Sequence, residues 1–112
     1  MRTRYATPPV SGNGVAPTVA STSGLGTGGG AGVFTPDGNG YGYIDLLTGA
    51  NPVSSGNVVL HFSVVPPTLF FGPHPDFGAA TVSGNPSMAI TLAWTGATLT
   101  PNARYQIPWE WL

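Results

Sequence analysis

The sequence predicts an all-β fold, a small antiparallel β-sandwich or barrel that follows a long extended N-terminal arm. Three observations favour it. Apolar and polar residues alternate along several segments after residue 40, which is the period of a strand with one buried face. Turns rich in Gly, Pro, Asn and Ser separate these segments, and the chain of 112 residues contains 17 Gly and 12 Pro. No segment carries helical apolar spacing beyond a single turn.

About six segments fit short strands joined by such turns. In the segment 88–95, Met88, Ile90, Leu92 and Trp94 share one face, which we expect to be buried. Short strands in this number, with Gly/Pro turns between them, indicate two packed antiparallel sheets or a closed barrel. The predicted strands cover 41–47, 57–65, 68–71, 78–83, 88–95 and 103–111.

The last predicted strand is the most aromatic. Tyr105, Ile107, Trp109 and Trp111 lie on one face of it, and aromatic residues of this size dominate small cores. We assign Trp94 and Tyr105 to the core, and leave Trp109 and Trp111 open between core and interface. Pro108 on the opposite face cannot donate a ladder hydrogen bond, which predicts an edge strand or a bulge there.

Residues 1–40 differ in composition from residues 41–112, so we divide the chain there into an arm and a β-domain. The arm is rich in Gly, Ser, Thr and Pro, and ordering it costs much entropy while burying few side chains. Its scattered apolar residues suit an extended segment that inserts into neighbouring subunits. A flexible tail is the alternative. The predicted partner-binding residues are Tyr5, Val10, Leu25, Val33 and Phe34 in the arm, with Trp109 and Trp111 at the C-terminus.

Charge is scarce, at 6% of residues, with no lysine and a net charge of −1. Nucleic-acid binding is therefore not expected, because it needs clustered Lys and Arg. Weak charge repulsion favours association, so we expect a homo-oligomer. There is no cysteine, no apolar run of membrane-spanning length and no apolar segment of a secretory signal, so neither a membrane location nor classical export is expected.

Three motifs resemble nucleotide-binding or metal-binding sites. Residues 24–29 match G-x-G-x-x-G, but that fingerprint requires a strand before it and a helix after it. Residues 37–48 begin like a calcium loop but place Thr48 where an acidic ligand is expected. His61, His74 and Asp76 are the residue types of a metal site, if they converge. Unrelated turns and histidines explain all three better, so we predict no enzyme, no cofactor and no metal.

The chain resembles the small head-decoration (cement) proteins of lambda-like tailed bacteriophages. The resemblance is carried by a Met1 start, the glycine-rich arm, few charges, no cysteine, and the aromatic β-segments 94–97 and 105–111. It implies an arm that becomes ordered on the capsid and a β-rich body that binds the major capsid protein or other virion subunits. Such bodies are commonly trimeric in the proteins it resembles, so a trimer is one option for the expected homo-oligomer. The expected location is the capsid surface of the virion, after synthesis in the host cytoplasm.

Three hypotheses about function remain. The first is a virion structural protein that binds the capsid lattice and stabilises it through the arm and the β-domain. The second is a receptor- or glycan-binding module of a phage tail or fibre, with Tyr105, Trp109 or Trp111 as stacking platforms. The third, a metal-dependent hydrolase, requires His61, His74 and Asp76 to meet.

Overall fold

The chain folds into two packed antiparallel β-sheets, which confirms the predicted all-β class in its sandwich form. The computed structural model describes residues 17–34, 41–63, 69–85 and 87–111. A single 3-10 turn, η1 (Pro75–Phe77), interrupts the strands in these ranges. The strands are β1 (Thr18–Ser23), β2 (Gly30–Phe34), β3 (Tyr41–Leu47), β4 (Gly56–His61), β5 (Leu69–Phe71), β6 (Ala79–Ser83), β7 (Ala89–Thr95) and β8 (Arg104–Trp111).

Each sheet has four strands. The first sheet has the order β1-β4-β7-β6, and the second sheet has the order β2-β3-β8-β5. All neighbouring strands are antiparallel. Only β2–β3 and β6–β7 are consecutive pairs within one sheet, so every other connection crosses from sheet to sheet. Four of the connections between the sheets lie at one end of the sandwich, which we call the loop end. They are residues 24–29, 48–55, 72–78 and 96–103.

Alternation along the strands builds the core between the sheets. In β7, Ile90, Leu92 and Trp94 are buried while the residues between them are half-buried or exposed. Met88 is the exception to its predicted face, because β7 begins at Ala89 and Met88 lies in the preceding bend with 46% of its surface exposed. The second sheet contributes Ile44, Leu46, Phe71, Tyr105, Ile107 and Trp109, and the remaining buried apolar residues are Leu25, Val58, Leu60, Phe62, Phe77 and Ala97.

The structure differs from the sequence-based boundary at residue 40. Residues 18–23 form β1, which pairs with β4, and residues 30–34 form β2, which pairs with β3. The segment between them places Leu25 in the core, with 3% of its surface exposed. The folded domain thus includes residues 18–34, because these residues supply one strand to each sheet. Residues 1–16 lie outside the described part of the chain.

Strand β8 is an interior strand, so the edge position predicted from Pro108 is wrong. Pro108 is opposite Tyr43 on β3, and its carbonyl accepts a hydrogen bond from Gly72 N at 3.0 Å on the β5 side. The N–H and C=O of one residue point to the same side of an antiparallel ladder, so the missing N–H also faces that side. Strand β5 ends at Phe71, which is opposite Trp109, so β5 ends one residue before the position opposite Pro108. The missing N–H faces away from β3, so the pairing of β3 with β8 loses no hydrogen bond.

Candidate functional site

The loop end carries a group of interacting polar side chains that brings together residues singled out from the sequence. Backbone hydrogen bonds tie its four segments to one another. Gly49 N donates to Leu25 O at 2.8 Å, Ala97 N donates to Ser54 O at 2.8 Å, and Thr98 N donates to Asp76 O at 2.7 Å. Each bond joins segments distant in sequence, so backbone hydrogen bonds hold the four segments of the loop end together.

Thr48 and Gly26 show why these residues occupy the loop end. Thr48 Oγ1 donates to Thr100 O at 2.5 Å and accepts from Ala103 N at 2.8 Å, which joins the end of β3 to the start of β8. Gly26 has φ +88°, and a Cβ there would collide with Ala50 O. An L side chain at this position is excluded both by conformation and by contact.

Asp76, Tyr105 and His74 form a polar cluster on this surface. Tyr105 Oη donates to Asp76 Oδ2 at 2.8 Å and accepts from Thr100 N at 2.9 Å. Asp76 N donates to His74 Nδ1 at 3.0 Å, an interaction that caps η1. His74 Nδ1 also lies 3.7 Å from Asp76 Oδ1, and half of the His74 side chain is exposed. The cluster ties residues 74–76 to β8 and to residues 96–103.

Aromatic packing on the core side supports the cluster. The Phe77 ring makes edge contacts with Trp94 and Tyr105, with ring centroids 4.9 and 5.2 Å apart. His74 makes a third edge contact with Tyr105 at 5.3 Å. Phe77 is only 1% exposed and was not among the aromatic residues assigned to the core from the sequence. Its only signal was an aromatic residue directly after a Pro-rich turn.

The geometry of this cluster suits a structural connection better than acid–base chemistry. Because His74 Nδ1 accepts the Asp76 N–H, the neutral imidazole carries its proton on Nε2. General-base catalysis needs a nucleophile within hydrogen-bond reach of the base. The hydroxyl nearest to His74 in this cluster is that of Tyr105, and it is already hydrogen-bonded to Asp76 and Thr100.

The three residues considered for a metal do not converge. His74 and Asp76 are neighbours, but His61 is at the far end of β4 from the loop end, beside Thr18 and Ser63. Gly56 starts that strand at the loop end, and five residue steps of a strand span about 17 Å. No set of three or more metal-ligating side chains occurs in the described ranges.

The glycine motif and the calcium-like motif are also accounted for structurally where they are described. Residues 24–29 connect β1 to β2, so a strand rather than a helix follows the G-x-G-x-x-G pattern. This arrangement lacks the helix N-terminus that binds a pyrophosphate. Residues 37–40 lie outside the described residues, while Thr48, at the position of the last calcium ligand, bonds to backbone atoms instead.

The predicted partner-binding residues lie in different environments. Leu25 and Trp109 are buried in the core of this chain, with 3% and 2% of their surfaces exposed, and Val33 is half-buried against it. Burial leaves Leu25 and Trp109 no surface for a partner, so their assignment to an interface is corrected. Phe34 and Trp111 are at strand ends with undescribed side chains, and Tyr5 and Val10 lie outside the described residues.

The glycan-binding hypothesis depends on exposed aromatic faces. Trp109 is buried between the sheets, where its ring makes an edge contact with Phe62 at 6.5 Å. Tyr105 is 6% exposed, and its hydroxyl is used within the loop end. A sugar ring stacks on an accessible aromatic face. Of the three candidate platforms, these two are therefore unsuitable, and the Trp111 side chain is not among those described.

Charged residues are unequally divided between the two sheets. The second sheet contains Asp45, Arg104 and Glu110, and Arg104 Nε lies 3.1 Å from Asp45 Oδ1. Those two atoms contact as an ion pair rather than as a well-aligned hydrogen bond. The four strands of the first sheet contain no Asp, Glu, Lys or Arg.

The outward face of the first sheet carries no Asp, Glu, Lys or Arg on β4, β7 and β6, and most of its side chains are small. Across β4, β7 and β6 this face alternates with the buried residues, and it is half-buried or exposed throughout. We call this surface the neutral face. It consists of Asn57, Val59, His61, Ala79, Thr81, Ser83, Ala89, Thr91, Ala93 and Thr95.

Comparisons with known proteins do not assign a family. No protein-family model matches the chain, and neither the curated proteins nor the solved structures yielded a significant match. Within the described ranges, no helix has the length and apolar character needed to cross a membrane.

Replacing Tyr105 by Phe is expected to lower the free energy of unfolding by about 1–3 kcal/mol. The substitution keeps the ring contacts with Phe77 but removes the hydroxyl that bridges Asp76 and Thr100. Chemical denaturation of the purified protein measures the change. An unchanged stability in Tyr105→Phe would show that the hydroxyl bridge contributes nothing.

Proposed function

We propose that this protein is a virion structural protein that binds the assembled capsid lattice at its outer surface and stabilises it. The observation that carries the proposal is the first sheet, whose four strands contain no Asp, Glu, Lys or Arg and whose neutral face consists mostly of small side chains. The resemblance to phage head-decoration proteins supplies the partner, the major capsid protein or another virion subunit.

A face without acidic or basic side chains suits burial in an assembly because no carboxylate, ammonium or guanidinium group has to be desolvated. Removing an unpaired charge from water costs several kcal/mol, whereas Ala and Val can be covered at little cost and the hydroxyl and amide groups need only hydrogen-bond partners. Small side chains on a pleated sheet also make a low-relief surface that another flat protein surface can approach closely. By contrast, Arg104 extends from the second sheet with 62% of its side chain exposed, which suits the side that faces water.

Binding to the assembled shell, and not to free subunits, would stabilise the shell by mass action. A ligand at 100 times its Kd adds about 2.7 kcal/mol of stability per site. A repeated lattice multiplies this contribution over many sites, so a small protein of modest affinity is sufficient. The predicted N-terminal arm adds a second attachment by strand addition to neighbouring subunits, a known mode of peptide recognition.

Incorporation of variants into particles tests this function. We expect mass spectrometry of purified virus particles to find this chain in a simple ratio to the major capsid protein. Ala93→Arg places a charge on the neutral face and is expected to reduce incorporation at least about tenfold, because the charge becomes buried without a partner. Gln106→Arg makes a comparable change on the exposed face of the second sheet and should be incorporated normally.

The outcomes separate the hypotheses. Absence of the chain from particles would exclude a virion role. A few copies per particle would place it in the tail or a fibre instead of the shell. Equal incorporation of Ala93→Arg and Gln106→Arg would show that the neutral face is not the binding surface.

A further inference from the structure

The sandwich has four edge strands, and they are not equally protected against pairing with another chain. An edge strand presents unpaired backbone N–H and C=O groups, which form a template for a further strand. Proteins block such edges with bulges, charged side chains, prolines, short strands or a covering segment. Strands β1 and β6 form the edges of the first sheet, and β2 and β5 form those of the second.

Three of these edges show features that discourage pairing. Strand β1 has an irregular register between Val19 and Ser21, which twists the edge at that point. Strand β5 is only three residues long. Strand β2 contains Gly30 and Gly32 and lies beside β1, with which it closes one side of the sandwich.

Among the described residues 17–34, 41–63, 69–85 and 87–111, strand β6 has none of these features. Its five residues, Ala-Ala-Thr-Val-Ser, pair with β7 in a regular register without a bulge. It contains no charged residue and no proline, and Ala79, Thr81 and Ser83 are exposed. Because backbone groups alternate in direction along an antiparallel strand, two or three of the five residues direct their N–H and C=O groups away from β7.

We propose that β6 pairs antiparallel with β6 of a second copy of this chain, about a twofold axis at Thr81. The two first sheets would then join into one continuous sheet of eight strands, since each contributes four. A twofold axis at the middle residue pairs all five residues of β6. Thr81 faces Thr81 of the second copy, Ala80 faces Val82, and Ala79 faces Ser83.

The sequence of β6 is compatible with itself in this register. No cross-strand pair opposes two charges, and Thr–Thr pairs and β-branched contacts are favourable across strands. The adjoining strands β7 and β4 also contain no Asp, Glu, Lys or Arg, so the joined sheet would have a neutral face twice as wide. A strand of another protein could form the same backbone hydrogen bonds with β6, but pairing with a second copy requires no other protein.

This pairing goes beyond the proposed binding to a capsid and does not depend on it. A dimer that fails to enter particles would remove the virion function and leave the pairing intact. A chain that is monomeric in solution but is incorporated into particles would exclude the pairing and support the virion function.

Cysteine cross-linking tests the geometry directly, because the natural chain has no cysteine. Thr81→Cys in the full chain places two thiols at the twofold axis, where facing Cβ atoms lie about 4.5–5.5 Å apart. That separation is close to the span of a disulfide. Mild oxidation is expected to give a covalent dimer of Thr81→Cys on a non-reducing gel. Ser21→Cys, on the opposite edge of the same sheet, should remain a monomer.

Sedimentation supplies a second, independent readout. Thr81→Lys opposes two like charges at the axis and is expected to raise the dimer Kd at least about fivefold, while Ser21→Lys should not change it. A wild-type chain that stays monomeric up to about 100 µM, a typical range for weak association, would overturn the proposal. Cross-linking at position 21 in place of position 81 would overturn it as well.

Discussion

Deletion of residues 1–40 is expected to abolish folding, whereas deletion of residues 1–16 is expected to leave a cooperatively folded domain. The longer deletion removes β1 and β2, one edge strand from each sheet. It also removes Leu25 from the core, and loss of a buried leucine side chain alone costs about 2–5 kcal/mol. A domain of this size has about 5–15 kcal/mol of stability in total, so these losses exceed what it can tolerate.

Thermal unfolding followed by circular dichroism, with amide NMR spectra, distinguishes the two deletions. The chain lacking residues 1–16 should give a sharp transition and dispersed amide signals. The chain lacking residues 1–40 should give neither. A cooperative transition in the longer deletion would mean that residues 18–34 are dispensable and that the domain begins near residue 41, as the composition predicts.

The shorter deletion also tests the predicted arm. If residues 1–16 attach the protein to neighbouring subunits, the truncated chain should fold but bind capsid lattices more weakly than the full chain. Undiminished binding would restrict the attachment to the β-domain. This comparison is interpretable only with a deletion that preserves β1 and β2, which is why the boundary at residue 16 replaces the one at residue 40.

Replacing Phe77 by Ala is expected to lower the free energy of unfolding by about 3–5 kcal/mol, the usual range for a buried phenylalanine. Phe77 is 1% exposed, and its ring packs against Trp94 from the first sheet and Tyr105 from the second. The cavity left behind would lie between the sheets at the loop end. The melting temperature should fall by more than about 10 °C in a protein of this length.

Phe70→Ala is the matched control for Phe77→Ala. It deletes the same atoms from a side chain that is 55% exposed on β5, so we expect a loss below about 1 kcal/mol. Urea denaturation of both variants measures the difference between them. Equal losses would contradict the placement of Phe77 in the core and of Phe70 at the surface.

Most strands after residue 40 were predictable from the sequence. The predicted strands 41–47, 78–83, 88–95 and 103–111 agree with β3, β6, β7 and β8 to within one residue at each end, whereas β4 ends at His61, before the end of the predicted strand 57–65. Alternation is sufficient here because each strand has one face in the core and one outside it. The buried positions of Trp94 and Tyr105 follow from the same pattern.

Strands β1 and β2 were not predictable in this way. Their sequences, Thr-Val-Ala-Ser-Thr-Ser and Gly-Ala-Gly-Val-Phe, have the composition of a disordered segment and little alternation. Edge strands need only one partner strand, and most of their stability comes from backbone bonds to β4 and β3 and from a few apolar contacts such as Val19 and Val33. Those contacts depend on residues far away in sequence, which local composition does not report.

The loop-end cluster was only partly predictable. His74 and Asp76 are two residues apart, so their proximity follows from the chain itself. Tyr105 and Thr100 join them, and Tyr105 contacts Phe77, only because β8 and the segment before it fold back against residues 72–78. The separation of His61 from this cluster is likewise a matter of which end of β4 it occupies.

The sequence by itself determined the all-β class, the faces of the regular strands and the scarcity of charge, because these depend on residue type and local spacing. Only the tertiary structure decided that residues 18–34 belong to the domain, that Trp109 is core, and that the four strands of one sheet contain no Asp, Glu, Lys or Arg and place β6 at an edge. These features arise from pairing between distant segments, so they exist only once the sheets have formed.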